Sequence, residues 1–128
     1  MRILTLSAAL IATTLSSAAV AADWVLMYED EEAGTYVDRE SIRSTPNGYK
    51  RAWLRTIYAE PENTGITSVK LFAEYDCSEG RIRWLQASAY KGAENFQTMR
   101  QPTEWRYLIP DSIEENFFNY VCFGRLPE

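Results

Sequence analysis

Only two cysteines occur in this chain, Cys77 and Cys122, and each stands where a periodic pattern turns it toward apolar neighbours. From Ser68 to Cys77 the residues alternate. Val69, Leu71, Ala73, Tyr75 and Cys77 fall on one side, and Ser68, Lys70, Phe72, Glu74 and Asp76 on the other, the period-two signature of a half-buried strand. From Ser112 the pattern is helical: Ile113, Phe117, Phe118, Tyr120, Val121 and Cys122 form a broad apolar arc, with Asn116 and Asn119 outside it. Phe118 and Cys122 are four apart and share a side of that helix. The apolar strand face and the apolar helix face are expected to pack together, with a Cys77–Cys122 disulfide in their interface. A spacing of 45 positions is not a CxxC redox pair. In an oxidising compartment two thiols of a small domain most often form a structural bridge; one reactive free thiol is the rival reading.

The start of the chain supplies the compartment. Arg2 is followed by an apolar stretch, Ile3 to Leu15, then Ser16, Ser17 and the small-residue run Ala18 to Ala22. That order predicts a secretory signal over residues 1–22 and a mature domain over 23–128. The apolar part is shorter than the roughly 20 residues a bilayer core demands, which weighs against a retained anchor. No cysteine lies near the expected cut to carry a lipid, and no second apolar run of spanning length follows. The protein is expected to be exported, to the periplasm or the cell surface, with no transmembrane segment after cleavage.

Removal of residues 1–22 from the 128 leaves 106, enough for one core. The net charge of −5 includes Arg2, so the mature domain stands at −6, a balance that argues against nucleic acid as a partner. Histidine is absent, which excludes Ser-His-Asp, Cys-His and His-ligated metal chemistry. The acidic run Glu29 to Glu32 lacks the ligand order of a calcium loop and reads as a solvated turn. Nothing selects two carboxylates for glycoside hydrolysis. No cofactor, no metal site and no catalytic residue is expected.

The remaining elements follow from local signals. Trp24 to Tyr28 and Tyr36-Val37 read as strands, Asp38 to Ile42 as a turn of helix, and Asn47-Gly48 as a tight turn. Tyr49 to Tyr58 alternates, with Ala52, Leu54, Thr56 and Tyr58 on one face. Ser78-Glu79-Gly80 turns the chain into a fifth strand, Arg81 to Tyr90. Lys91 to Thr103 is expected to be loop, and Trp105 to Ile109 a short sixth strand. Ser112 and Glu115 suggest a capping box and Gly124 a helix stop. The fold class is therefore α+β: an antiparallel sheet of about six strands, with one C-terminal helix packed on one face and tied by the disulfide.

With Leu54, Leu71 and Leu85 toward the helix, strict alternation puts Arg51, Trp53, Arg55, Lys70, Phe72, Glu74, Trp84, Gln86 and Tyr90 on the far face. Rings interleaved with Arg and Lys suit a protein interface, self-association included. Arg51, Trp53, Arg55, Phe72, Trp84 and Tyr90 are the candidate partner-binding residues. The competing reading is that Lys91 to Thr103 folds over this face and buries the rings.

Several ordered landmarks carry a resemblance: Tyr36-Val-Asp38 with Ser41-Ile42, Ser68-Val69 with Tyr75 just before Cys77, the aromatic strand ending at Tyr90, and Pro110-Asp111-Ser112 opening a helix that ends in Val121-Cys122. In these the mature chain resembles the surface-adhesin protein E family of Gram-negative bacteria. The resemblance implies a sheet of about six strands with one disulfide-tied helix, dimerisation, and binding of host matrix or serum proteins. An exported, non-enzymatic, adhesin-like binding protein is thus the first expectation. A periplasmic structural or inhibitory protein that docks on an envelope protein is the alternative.

Overall fold

Each hairpin of the sheet closes where the sequence supplies turn chemistry. The computed structural model describes residues 20–128, with Ala9 and residues 11–13; most of the expected leader, 1–22, lies outside the described residues. Strands β1 (Trp24–Glu29) and β2 (Ala33–Asp38) are joined through Asp30, whose carboxylate Oδ1 accepts the backbone N–H groups of Glu32 (2.8 Å) and Ala33 (2.9 Å). The acidic run is thus a turn tied by its own side chain. A 3-10 turn, Arg39–Ser41, follows, with Asp38 accepting the N–H of Glu40. The two-residue β3 (Arg43–Ser44) leads through Gly48, at φ 83°, into β4 (Lys50–Tyr58).

β5 (Ser68–Asp76), β6 (Arg81–Lys91) and β7 (Glu94–Met99) continue the meander, and β8 (Arg106–Tyr107) returns to pair with the start of β6. The main order is β1-β2-β4-β5-β6-β7, with every pairing antiparallel. Lys91 to Thr103 is therefore not a loop. Its central part is a strand that widens the sheet by one, because Gly92, at φ 60°, lets the chain reverse immediately after β6.

α1 (Ile113–Phe123) packs its Phe117, Phe118, Val121 and Cys122 against Met27, Val37, Leu54 and Tyr75 of the sheet. Burying side chains of this size stabilises by about 1.5–3 kcal/mol each. Cys77 and Cys122 form the expected disulfide, with Cα atoms 5.7 Å apart. Gly124 ends the helix at φ 69°, its N–H bonded to the Tyr120 carbonyl and that of Arg125 to Asn119. Two sequence expectations fail at the helix start. Ile113 is exposed rather than part of the buried arc. The capping box is also displaced: Ser112 Oγ donates to the Ile109 carbonyl, and Glu115 accepts the N–H of Asp111 instead of Ser112. Asp111 has φ 60°, and this left-handed residue brings its own N–H within reach of the Glu115 carboxylate. No helix among the described residues is long and apolar enough to cross a membrane.

Candidate functional site

Which side chains reach the sheet face opposite α1 depends on one extra residue in β6. Phe72 pairs with Gln86, but the next residue, Ala73, pairs with Trp84, so Leu85 is an inserted residue of a β-bulge. Strict alternation would place Trp84 and Ile82 on the far face. The bulge reverses the phase, and both turn toward α1: Ile82 is core, and Trp84 packs against that core with Arg106 over its ring at 5.1 Å. Trp84 is thus a correction to the sequence-based set. Arg81 and Arg83 take the far-face positions instead.

The far face is built in rows. In the first, Arg51, Glu74 and Arg83 lie in register across β4, β5 and β6. The Glu74 carboxylate is buried and accepts from both guanidiniums, Arg51 Nε at 2.6 Å and Arg83 Nη2 at 2.6 Å. One strand end further, Arg81 Nη2 meets Asp76 Oδ2 at 2.7 Å. That hydrogen bond holds the Asp76 carboxyl below the usual range against the opposing effect of burial, with the Glu79 N–H and the Ser78 hydroxyl assisting. Trp105, packed on Tyr49 at 5.0 Å, lies beneath Arg81 and Arg83. These groups satisfy one another, which makes this end of the face structural. Arg51 belongs to it.

In the next row Trp53 and Phe72 are direct cross-strand partners whose rings stack at 4.9 Å with planes 10° apart. Beyond them Arg55 lies over Trp24 at 4.3 Å and Tyr36 at 5.4 Å, and Lys70 over Tyr90 at 5.1 Å. All of these rings are half-buried. Five of the six candidate partner-binding residues, Arg51, Trp53, Arg55, Phe72 and Tyr90, therefore share one face.

A groove of about 340 Å³ runs across this face, with Trp24, Trp53 and Tyr90 among its walls. Asn95 and Thr98 of β7 line it as well. In a flat sheet β1 and β7 would stand about 24 Å apart, at about 4.8 Å per strand. Side chains from both edges meet in one groove only because the sheet curls toward this side, as its bulged strands require. The stretch Lys91 to Thr103 does not fold over the rings; it forms one wall of the groove and the edge of the sheet. The wall residues Gln86, Ser88, Asn95 and Thr98 were not singled out from sequence as a site. Single polar residues of ordinary strands carry no signal until the curl gathers them.

No cluster of three or more His, Cys, Asp or Glu placed to hold a metal ion occurs among the described residues.

A family model described as Surface-adhesin protein E matches residues 24–123, most of the chain and all of its sheet and helix. This chain belongs to that family. Comparisons with curated proteins and with solved structures give no match. Family membership marks the protein as adhesin-like and directs attention to surfaces that meet another molecule. The half-buried rings of the curled face are a candidate for such a surface.

Proposed function

We propose that this chain is an exported, non-enzymatic binding protein of the adhesin type that recognises a partner protein, of the host matrix or serum, through its curled sheet face. The observation that carries the reading is the stacked Trp53–Phe72 pair, half-buried on the curled face, with Trp53 lining its groove. Rigid aromatic area flanked by arginine is what interface hot spots are made of. Family membership supports an adhesin-like role at the surface. The disulfide supports folding in an oxidising compartment.

The test uses immobilised matrix and serum proteins and compares two tryptophan variants. Trp53→Ala is expected to weaken binding by about thirtyfold, the size of a hot-spot loss of about 2 kcal/mol, with the fold intact. Trp84→Ala is expected to retain binding and to lower stability by about 2 kcal/mol, since its ring packs on the core side. Undiminished binding by Trp53→Ala would remove this face from the argument. Protease accessibility on intact cells reads surface display, and sedimentation reads self-association.

A further inference from the structure

Arg55 and Lys70 oppose one another in register across β4 and β5. Like charges so placed repel and destabilise a sheet. Three other arginines of the same face, Arg51, Arg81 and Arg83, each meet a carboxylate. Among the described residues, Arg55 and Lys70 have no acidic partner. Aromatic rings hold them instead, Trp24 and Tyr36 under Arg55 and Tyr90 under Lys70. A ring orients a cation and attracts it without neutralising it. Arg55 Nε is, in addition, buried with no hydrogen-bond acceptor, which is costly to leave so.

Lys70 opens onto the groove, and Arg100 stands at the groove wall. The single acid of that wall, Asp38, directs Oδ1 at the backbone N–H groups of Asp23 and Glu40. In a chain of net charge −5, the groove is thus a local excess of positive charge. Its other walls are aromatic rings, the amide of Gln86, and the side chains of Asn95, Thr98 and Ser88, which hydrogen-bond to one another in a short chain. An acidic peptide side chain would need only the cations. Flat rings for C–H faces, an amide for a hydroxyl group and cations for a carboxylate together describe a sugar acid. The volume, about 340 Å³, lies at the small end of ligand pockets, which run from about 300 to 1,000 Å³.

We infer that the groove binds a carboxylated sugar, its carboxylate between Lys70 and Arg100 and its ring against Trp53. This deepens the reading of the curled face as the binding surface and rests on it: the partner protein would present such a sugar as a glycan.

Titration calorimetry of the processed protein tests this with D-glucuronate, D-glucose, acetate and a hexaglutamate peptide. Glucuronate is expected to bind, with glucose and acetate each at least about tenfold weaker, one charge-assisted or one stacking contribution being lost in each. Lys70→Gln is expected to erase the preference for glucuronate over glucose and to leave the melting temperature unchanged or raised, because a repelling pair is removed. Equal affinity for glucose and glucuronate, absence of glucuronate binding, or binding of hexaglutamate alone would each overturn the sugar assignment. A lowered melting temperature of Lys70→Gln would overturn the account of Arg55 and Lys70 as a repelling pair. If no sugar binds while Trp53→Ala still loses its protein partner, the sugar falls and the binding face stands. If neither effect is seen, both fall.

Discussion

Glu74 and Asp76 of β5 are buried acids of the far face, and arginine reaches each of them. Glu74 has two such partners, so loss of one guanidinium leaves the carboxylate still answered. Arg51→Met and Arg83→Met are each expected to cost about 1 kcal/mol, whereas the double variant is expected to cost about 3–5 kcal/mol, since it strands a buried charge. Denaturant unfolding of the four proteins in the cycle reads this, and simple additivity would contradict it. Asp76 gives a pH dependence whose sign follows from its lowered pKa. The unfolded chain takes up this proton first, near the ordinary aspartate value of about 3.9. The stabilisation is therefore complete above that value and is lost as pH falls through the folded pKa. Asp76→Asn is expected to be less stable at neutral pH and to show a flatter loss of stability below about pH 4. A thermal-unfolding series against pH measures both.

At the scale of elements, strand β6 is decided by its bulge. Leu85 is the inserted residue, and the faces of Ile82 and Trp84 depend on it being accommodated outside the pairing register. Deleting Leu85 joins Trp84 directly to Gln86 and keeps every pairing partner on its present face. The deletion is expected to fold, with a loss of no more than about 2 kcal/mol, the packing of one partly buried leucine; circular dichroism and thermal melting report it. Collapse of the fold would show that the register has been misassigned. The strands β4 and β5 were legible from their alternation because they pair without an inserted residue in either. β6 was misphased for the opposite reason: Leu85 and Trp84 are both apolar, so either could occupy the core side. The strand β7 was missed because Glu94-Asn-Phe-Gln-Thr-Met99 is an exposed edge with almost no apolar alternation. Backbone pairing to β6, not burial, makes it a strand.

For the molecule as a whole, the disulfide joins the middle of the sheet to its closing helix across 45 positions. A loop of that length is valued at about 4 kcal/mol in the chain-entropy model, a large share of the about 5–15 kcal/mol that holds a domain of this size. Reduction, or the pair Cys77→Ala with Cys122→Ala, is expected to lower the melting temperature markedly while the variant retains its sheet by circular dichroism; an unchanged melting temperature would contradict this. The amino-acid sequence by itself determined the α+β class, the two best strands, the helix with its glycine stop, and the meeting of Cys77 with Cys122. Each of these follows from local periodicity or from having only two thiols to pair. Only the tertiary structure decided that Trp84 turns to the core while Arg83 turns out to Glu74, and that both edges of the sheet close on one groove. Those outcomes depend on where a single extra residue is inserted and on how far the sheet curls, and both are settled by cross-strand register among residues far apart in the chain.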